Sequence, residues 1–276
     1  MKSINLDSNV KKEMLSKYKA IGTASPYDFK SENGRDLKGY VLKTFTSEEE
    51  NKSLFLYLFP GQGGNEEWVD KNNGFITHLM SYIMSVKKHP GMTIVMPYLF
   101  YGDESKIKEA QDITEFIKDI VEHFEGVGAW NDPGSYKRRA VGGLCLGSLS
   151  ALKCALHWEK KERNKDNIEK FFSTGIFSPA NEAESGRWIN GKPNFRFIHP
   201  ENHRLYLSYG DVDIKKYHAI RYNEYFMNNQ SPVNDFVKIV DGKHDWEVFN
   251  TAFVDYMSDE IFAHEYYTDC LTDLND

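Results

Sequence analysis

The feature that most constrains the fold of this chain is an alternation of short apolar runs with longer amphipathic segments. Six runs have the length and composition of strands, and most are apolar on both faces, as buried strands of a parallel sheet are. They cover residues 54–59, 92–96, 139–143, 171–177, 204–209 and 235–240. Segments of helical periodicity cover residues 76–88, 113–124, 148–158, 217–227 and 246–262. This order predicts an α/β protein with a mostly parallel central sheet and helices on both faces.

Three further features complete the predicted organisation. A pair of strands near residues 39–45 is expected to lie antiparallel at one edge of the sheet. Residues 179–203 are too long and too weakly patterned for a simple connection, so they predict a small insertion over the sheet and the active site. No repeat or low-complexity linker divides the 276 residues, and residues 1–276 are therefore expected to form a single domain.

Charge and cysteine usage narrow the class of protein. A net charge of -7 argues against nucleic-acid and anionic-membrane partners, because both need clustered positive charge. Three cysteines form an odd count without metal-ligand spacing, so neither a disulfide framework nor a metal site is expected. No signal-peptide core and no long apolar span is visible, which predicts a cytoplasmic protein. No pattern indicates an oligomeric state.

The stretch RAVGGLCLGSLSAL, residues 139–152, has the form of a nucleophile turn. Cys145 follows a strand and precedes a helix, and Gly143 and Gly147 stand two positions on either side. A tight strand-to-helix turn forces its central residue into a strained conformation with an exposed side chain, and small neighbours relieve the crowding. The positive end of the helix would also stabilise a thiolate. Cys145 is therefore the candidate nucleophile.

An acid and a histidine follow later strands, at the sheet edge where reactive groups of open α/β sheets collect. The segment GDVD supplies Asp211 and Asp213, of which Asp213 is favoured by its spacing from Gly210, and the segment DGKHDW supplies His244. Nucleophile, acid and histidine thus occur in the order found in α/β hydrolases. The turn PGQGG, residues 60–64, lacks the lysine of a phosphate loop, and its backbone amides suit an oxyanion hole.

Five segments together resemble the esterase D family, which includes feruloyl and tributyrin-type esterases and S-formylglutathione hydrolases. They are LYLFPGQGGNEEWV, MTIVMP, RAVGGLCLGSLSAL, LSYGDVD and GKHDWEVF, and they follow the family order over about residues 38–262. The resemblance implies an α/β-hydrolase fold, Cys145 at the nucleophile position, Asp213 as acid and His244 as base. It further implies that the backbone amides of Gln62 and Leu146 form the oxyanion hole, and that no metal or organic cofactor takes part.

Three departures from the family pattern bear on the reaction: Pro60-Gly61 replaces a His-Gly pair, Ser148 replaces a glycine, and the nucleophile is cysteine. A cysteine activated by histidine attacks esters to give a thioester acyl-enzyme, which water, alcohols or amines then attack. The sequence therefore predicts a hydrolase of small-molecule carboxylic esters. It leaves open an acyltransferase, a lapsed enzyme that only binds a ligand, and an engineered replacement of serine.

The remaining candidates have structural alternatives. Five aromatic residues either border a pocket for a flat acyl group such as cinnamoyl or feruloyl, with short-chain acyl esters as a further possibility, or fill the core: Trp68, Tyr98, Phe100, Tyr101 and Trp188. Ser148 and Ser150 lie in the helix beyond the turn and are not expected to act as nucleophiles. Cys154 is expected in the core and Cys270 outside the site. His123 and His157 are predicted to be structural residues on helices.

Overall fold

A single eight-stranded sheet organises the molecule. The computed structural model describes residues 6–44, 54–62, 64, 66–87, 91–99, 113–155, 157–158, 170–179, 188–189, 192–193, 197–198, 203–228 and 236–261. The strands of the sheet are β1 (Ser25–Lys30), β2 (Asp36–Lys43), β3 (Leu54–Phe59), β4 (Met92–Pro97), β5 (Arg139–Leu144), β6 (Ser173–Phe177), β7 (Arg204–Gly210) and β8 (Phe236–Val240). Their spatial order is β1-β2-β4-β3-β5-β6-β7-β8.

The direction of the strands confirms the predicted mostly parallel sheet. β1 and β2 pair antiparallel, and β2 pairs antiparallel with β4, while the other neighbouring pairs are parallel. An antiparallel pair lies at one edge, as expected, but it consists of Ser25–Lys30 and Asp36–Lys43 and so begins earlier in the chain than the predicted residues 39–45. Because β5, β7 and β8 run in the same direction, their carboxyl ends and the loops that follow them lie along one edge of the sheet.

Seven α-helices connect or flank the strands in the described part of the chain. They are α1 (Ser8–Lys17), α2 (Glu66–Val69), α3 (Ile76–Lys87), α4 (Ile113–Glu125), α5 (Leu146–Ala155), α6 (Lys216–Asn228) and α7 (Trp246–Asp255). The Asp7 side chain caps α1 by accepting from the N–H groups of Asn9 and Val10. A π-helical turn at Tyr256–Ile261 continues α7. The helical periodicity of the sequence thus located α3 to α7.

The helices cover both faces of the sheet, as predicted. Along β3, Leu54, Leu56 and Leu58 belong to one core cluster, which also holds side chains of α1, α3 and α7. The alternate residues of β3 belong to a second cluster with side chains of α4, α5 and α6. Every residue of β3 is buried, which explains why the strand is apolar on both faces.

A buried ion pair fixes the start of β5, the strand that carries the nucleophile turn. The Arg139 guanidinium donates to both carboxylate oxygens of Glu125, each at 2.7 Å, and the side chains are 1% and 0% exposed. The Tyr57 hydroxyl donates to the same carboxylate at 2.6 Å. The remaining Arg139 donors reach the carbonyls of Lys170 and Ala129. These bonds compensate the two buried charges, which would otherwise be strongly destabilising.

The structure corrects two local predictions. The helix expected at 148–158 spans Leu146–Ala155, and His157 does not lie on a helix: His157–Trp158 pairs with Phe197–Ile198 in a two-residue ladder instead of continuing the helical hydrogen bonds. β6 begins two residues later than the apolar run that predicted it.

Most of the predicted insertion at 179–203 lies outside the described residues. A second short ladder joins Trp188–Ile189 to Lys192–Pro193 within it. In the part of the chain that is described, no helix is long and apolar enough to cross a membrane.

Candidate active site

Cys145 occupies the strained turn that the sequence predicts. It stands between β5 and α5 with a φ of 54°, a left-handed conformation that non-glycine residues seldom adopt. Its N–H donates to the Phe177 carbonyl at the end of β6, at 2.9 Å. Strain of this kind persists only where the surroundings fix it, and it is concentrated at functional sites.

The two glycines that frame Cys145 are required by close backbone contacts. A Cβ atom on Gly143 would lie 2.1 Å from the Gly147 carbonyl oxygen, and one on Gly147 would lie 2.4 Å from the carbonyl oxygen of Pro60. No side chain fits at either position without moving the backbone. The glycine spacing of the predicted turn therefore has the steric cause that the sequence suggested.

Ser148 supports this turn through hydrogen bonds to its backbone. It is fully buried, and its hydroxyl donates to the Gly143 carbonyl at 2.7 Å and lies 3.2 Å from the Phe177 carbonyl. Ser150 is also buried, on the same helix. Hydroxyls that are buried in this way are not placed to attack a substrate.

The structure brings Asp213 and His244 together. Nδ1 of His244 lies 2.8 Å from Oδ2 of Asp213, and Oδ1 of Asp213 accepts the backbone N–H of Lys215 at 2.7 Å. Burial alone would raise the pKa of Asp213, but the hydrogen bonds and charge of its partners outweigh burial and hold that pKa below its usual range. Asp213 is therefore an ionised carboxylate that orients the imidazole.

Asp211, the competing acid, has a different function. It is exposed, and its Oδ1 accepts the Gly242 N–H at 2.8 Å, which joins the loop after β7 to the loop after β8. Its hydrogen bonds do not involve the imidazole of His244 within the described chain. Of the two carboxylates, only Asp213 meets the geometric requirement for an orienting acid.

His244 also interacts with Cys145. Burial by itself would lower the pKa of His244, but its hydrogen bonds to Asp213 and Cys145, together with the charges of both partners, raise that pKa to about 9. The imidazole is thus protonated at neutral pH and lies between a carboxylate and the sulfur. A histidine in this position can exchange a proton with the sulfur.

The residues predicted to supply the oxyanion hole lie beside Cys145. A Cβ atom on Gly61 would lie 3.5 Å from Cβ of Cys145, which places the turn that contains Gln62 against the nucleophile. Leu146 is the first residue of α5, so its N–H has no intrahelical acceptor. The role of the two backbone amides as an oxyanion hole stays a prediction.

The structure adds residues that the sequence reasoning missed. The Lys215 ammonium lies 4.0 Å from Sγ of Cys145. His218, at the start of α6, is 3% exposed, and burial followed by the charges of Lys215 and Arg221 lowers its pKa to about 4. Ser178 follows β6 with a φ of 43°, and its side chain is one of the groups that lower the pKa of Asp213. None of these residues belongs to a spacing pattern that the sequence makes visible.

The predicted aromatic residues do not all border the site. Trp68 is a correction: it is fully buried in the core, where its ring contacts those of Trp246 and Phe253 at 5.0 and 5.5 Å, so it cannot line an open pocket. Tyr98 is half-buried after β4. Phe100 and Tyr101 lie outside the described residues, and only the backbone of Trp188 is described. A pocket for an aromatic acyl group therefore stays a prediction.

Cys154 and His123, which were predicted to be structural residues, lie in packed positions away from the site. Cys154 is buried in the core on α5, and neither Cys145 nor Cys154 forms a disulfide within the described residues. His123 lies on α4 and stacks on Phe29 with ring centroids 3.6 Å apart. Cys270 lies outside the described residues. Over the described ranges, no group of three or more potential ligands could hold a metal ion.

Comparison with known proteins identifies the fold. A mutant of the feruloyl esterase module from Clostridium thermocellum, complexed with sinapinate, is similar with a TM-score of 0.62 and 13% identity over 88% of this chain and 95% of that chain. A ferulic acid esterase from the anaerobic fungus Anaeromyces mucronatus has a TM-score of 0.61 and 17% identity over 87% of this chain and 91% of that chain. S-formylglutathione hydrolase from Staphylococcus aureus has a TM-score of 0.58 and 13% identity over 87% of this chain and 98% of that chain.

At this level of identity the likeness shows a shared fold, and the chain has the α/β-hydrolase fold that its motifs predicted. No protein-family model matches the sequence, and no curated protein matches it.

Proposed function

We propose that this protein hydrolyses carboxylic esters with Cys145 as nucleophile, His244 as general base and acid, and Asp213 as the residue that orients His244. The observation that carries the proposal is the assembled constellation. The nucleophile turn holds Cys145 at a φ of 54°, and the His244 ring lies 2.8 Å from Asp213 while it also interacts with the sulfur. Nucleophile, base and orienting acid are thus in the mutual contact that acyl transfer requires.

Acylation begins with the sulfur. The Cys145 thiol proton resides on the ring nitrogen of His244 that does not face Asp213, and the thiolate attacks the ester carbonyl carbon to form a carbon–sulfur bond. The carbonyl π-electron pair moves to oxygen, where the backbone amides of Gln62 and Leu146 stabilise it. When the intermediate collapses, the alkoxide leaves with the proton from His244, and a thioester acyl-enzyme remains.

Deacylation uses the same histidine in a different state. In the thioester the sulfur carries no charge, so the contribution of Cys145 that raises the pKa of His244 is lost. His244, which gave its proton to the departing alcohol, therefore stays neutral, and it can take a proton from an attacking water. Collapse of the second intermediate releases the carboxylic acid and regenerates the pair of Cys145 and His244.

The structural neighbours suggest a class of substrate. Their names refer to feruloyl and ferulic acid esters and to S-formylglutathione, which are small molecules with an aromatic or a very short acyl group. We therefore propose small-molecule esters of aromatic or short-chain acids as substrates. The steps above need only groups of the protein itself and water.

Intact-mass detection of an acyl-enzyme across a panel of acetyl, butyryl and feruloyl aryl esters tests the proposal. A mass increase equal to the acyl group is expected for the wild-type protein, localised to Cys145 by peptide mapping, together with release of the acid. Cys145→Ala should remove both signals, and Cys154→Ala, which changes a buried thiol on the next helix, should retain them.

Three other outcomes would contradict hydrolysis through Cys145. Unchanged hydrolysis by Cys145→Ala would exclude the sulfur as nucleophile. An acyl-enzyme that yields esters or amides from added alcohols or amines, but no free acid, would identify an acyltransferase. Absence of any adduct and of any turnover would indicate a protein that only binds its ligand.

A further inference from the structure

Lys215 lies at the nucleophile although the triad does not include it. Its ammonium nitrogen is 4.0 Å from Sγ of Cys145, at the outer limit of a hydrogen bond to sulfur. The backbone of the same residue is held in place, because its N–H donates to Oδ1 of Asp213 at 2.7 Å. The loop that positions the acid therefore also positions a cation beside the reacting atom.

The charge of this lysine lacks a carboxylate partner. Lys215 is half-buried, and within the described ranges no Asp or Glu oxygen lies within ion-pair distance of its ammonium. The neighbouring Lys216 differs, since its ammonium donates to the Asp211 carbonyl at 2.7 Å in an exposed position. A partly buried cation is stabilised when an anion approaches it. At Lys215 the group in position to become that anion is the Cys145 sulfur.

We propose that Lys215 is a further catalytic residue, whose ammonium pairs with the Cys145 thiolate and keeps the resting nucleophile ionised. The inference rests on the proposed function, in which Cys145 is the attacking group. The proton that moves is the one between Cys145 and His244, so the step balances without proton transfer from Lys215. A serine alkoxide does not accumulate in a resting enzyme, so a cation in this position serves a sulfur nucleophile. Lys215 thus indicates a site adapted to cysteine.

The other charged groups around the sulfur do not replace this lysine. The loop after β7 and the start of α6 supply Asp213, Lys215 and His218, and the loop after β8 supplies His244. Asp213 is engaged by His244, and His218 has a lowered pKa and is neutral at physiological pH. The turn beside Cys145 is uncharged at Gly61 and Gln62, and Glu66 lies against its far end at Gly64. The thiolate therefore faces two cations, His244 and Lys215.

The pH profile of alkylation by iodoacetamide tests the proposal, because this reaction needs a thiolate and no ester turnover. The rate at Cys145 is followed by peptide mass spectrometry from pH 4 to pH 10 in the wild type, Lys215→Met, Lys215→Arg and Lys216→Met. Loss of a unit charge about 4 Å from the sulfur should move the midpoint up by about one pH unit, which lowers the rate by about tenfold at each pH well below the wild-type midpoint. Lys215→Arg should retain the wild-type midpoint. Lys216→Met is the matched control for the loss of one positive charge from the same loop, and its profile should be unchanged.

The proposal is overturned if the Lys215→Met profile superposes on the wild-type profile, or if Lys216→Met shifts it equally. Should Lys215→Met fail to fold, Lys215→Gln removes the same charge with a polar side chain. Should that variant also fail, the ratio of iodoacetate to iodoacetamide rates in His244→Gln decides, because Lys215 is then the remaining cation at the sulfur. A ratio above that of free cysteine supports a cation at the sulfur, and an equal ratio refutes it. If the midpoint shifts in Lys215→Met but the protein hydrolyses no ester, the ion pair between Lys215 and Cys145 is supported and the proposed reaction is rejected.

Discussion

Replacing Gly147 by alanine tests the close packing of the nucleophile turn, because the packing and the helix propensity predict opposite changes in stability. Gly147 is the second residue of α5, and a glycine in a helix is less favourable than alanine by up to about 1 kcal/mol. If its only role were helical, Gly147→Ala would stabilise the protein. The structure predicts the opposite effect, because the new Cβ would lie 2.4 Å from the Pro60 carbonyl oxygen and 2.8 Å from that of Phe59.

The size of the effect follows from these distances. An ordinary contact of this kind is about 3.4 Å, so α5 and the end of β3 must separate by about 1 Å. Overpacking of a buried position costs about 1–3 kcal/mol, which exceeds the gain in helix propensity. We expect a net loss of about 1–2 kcal/mol, equivalent to a decrease in Tm of about 2–8 °C for a domain of this size.

The displaced segment also leads into the predicted oxyanion hole, so the substitution should change ester turnover as well as stability. Pro60 and Gly61 precede Gln62, so a shift at Pro60 moves the Gln62 amide relative to Cys145. Loss of one oxyanion donor lowers kcat by about 10²–10³-fold. Alkylation of Cys145 by iodoacetamide has no oxyanion, so its rate should change far less. Ester turnover and alkylation are therefore measured on the same variant.

Gly134→Ala is the control. Gly134 has a φ of −89°, and the nearest atom to its new Cβ would be 3.6 Å away on Asp132. This variant should retain the wild-type Tm and turnover. A Gly147→Ala protein with raised Tm and normal turnover would refute the packing of the turn described above, and equal losses of turnover and alkylation would refute the assignment of the oxyanion hole.

Three further predictions concern the acid, the base and the support of β5. Asp213→Asn should lower kcat by about 10²–10⁴-fold while Asp211→Asn stays near the wild-type value, since only Asp213 contacts His244; comparable losses would reject this choice of acid. The pKa of His244 is about 9 in the folded protein against 6.5 without its partners. The contribution of protonated His244 to the stability of the fold is therefore complete below pH 6.5 and is lost as pH rises through 9. The Tm of the wild type should therefore fall over this interval more than that of His244→Gln, and parallel Tm curves would contradict the raised pKa. Glu125→Ala leaves Arg139 buried and unpaired and should lower the free energy of unfolding by about 3–5 kcal/mol in urea titrations. Asp28→Ala removes the exposed pair with Lys38 and should leave the free energy of unfolding close to the wild-type value.

The fold could be predicted because its signals are local and repeated. Parallel strands covered by helices on both faces must be apolar throughout, and β3, β4 and β5 are each buried along their whole length. The boundaries of α5 were less accessible to sequence reasoning. Leu146 and Gly147 show no helical periodicity, and their place in α5 depends on contacts with β3 that only the folded chain makes.

The candidate site was predictable to the extent that topology determines it. Cys145, Asp213 and His244 each follow a strand, and parallel strands bring such positions to one edge. Lys215 escaped prediction because a lysine in a polar loop has no periodicity, and its side-chain direction depends on the turn that Asp213 forms with its N–H. The sequence left open whether Trp68 lines a pocket or fills the core, because an aromatic residue after a glycine-rich turn has the same pattern in both cases. The structure places Trp68 in the core.

The three departures from the esterase D pattern meet in one region of the structure, which bears on the origin of Cys145. The Ser148 hydroxyl binds the Gly143 carbonyl and lies near the Phe177 carbonyl, the same group that accepts the Cys145 N–H. The Pro60 carbonyl lies against Gly147. A single engineered exchange of serine for cysteine would account for one of these residues and leave the other two unexplained. Their common location, with the Lys215 ammonium beside the sulfur, is consistent with the proposal that Cys145 is the nucleophile.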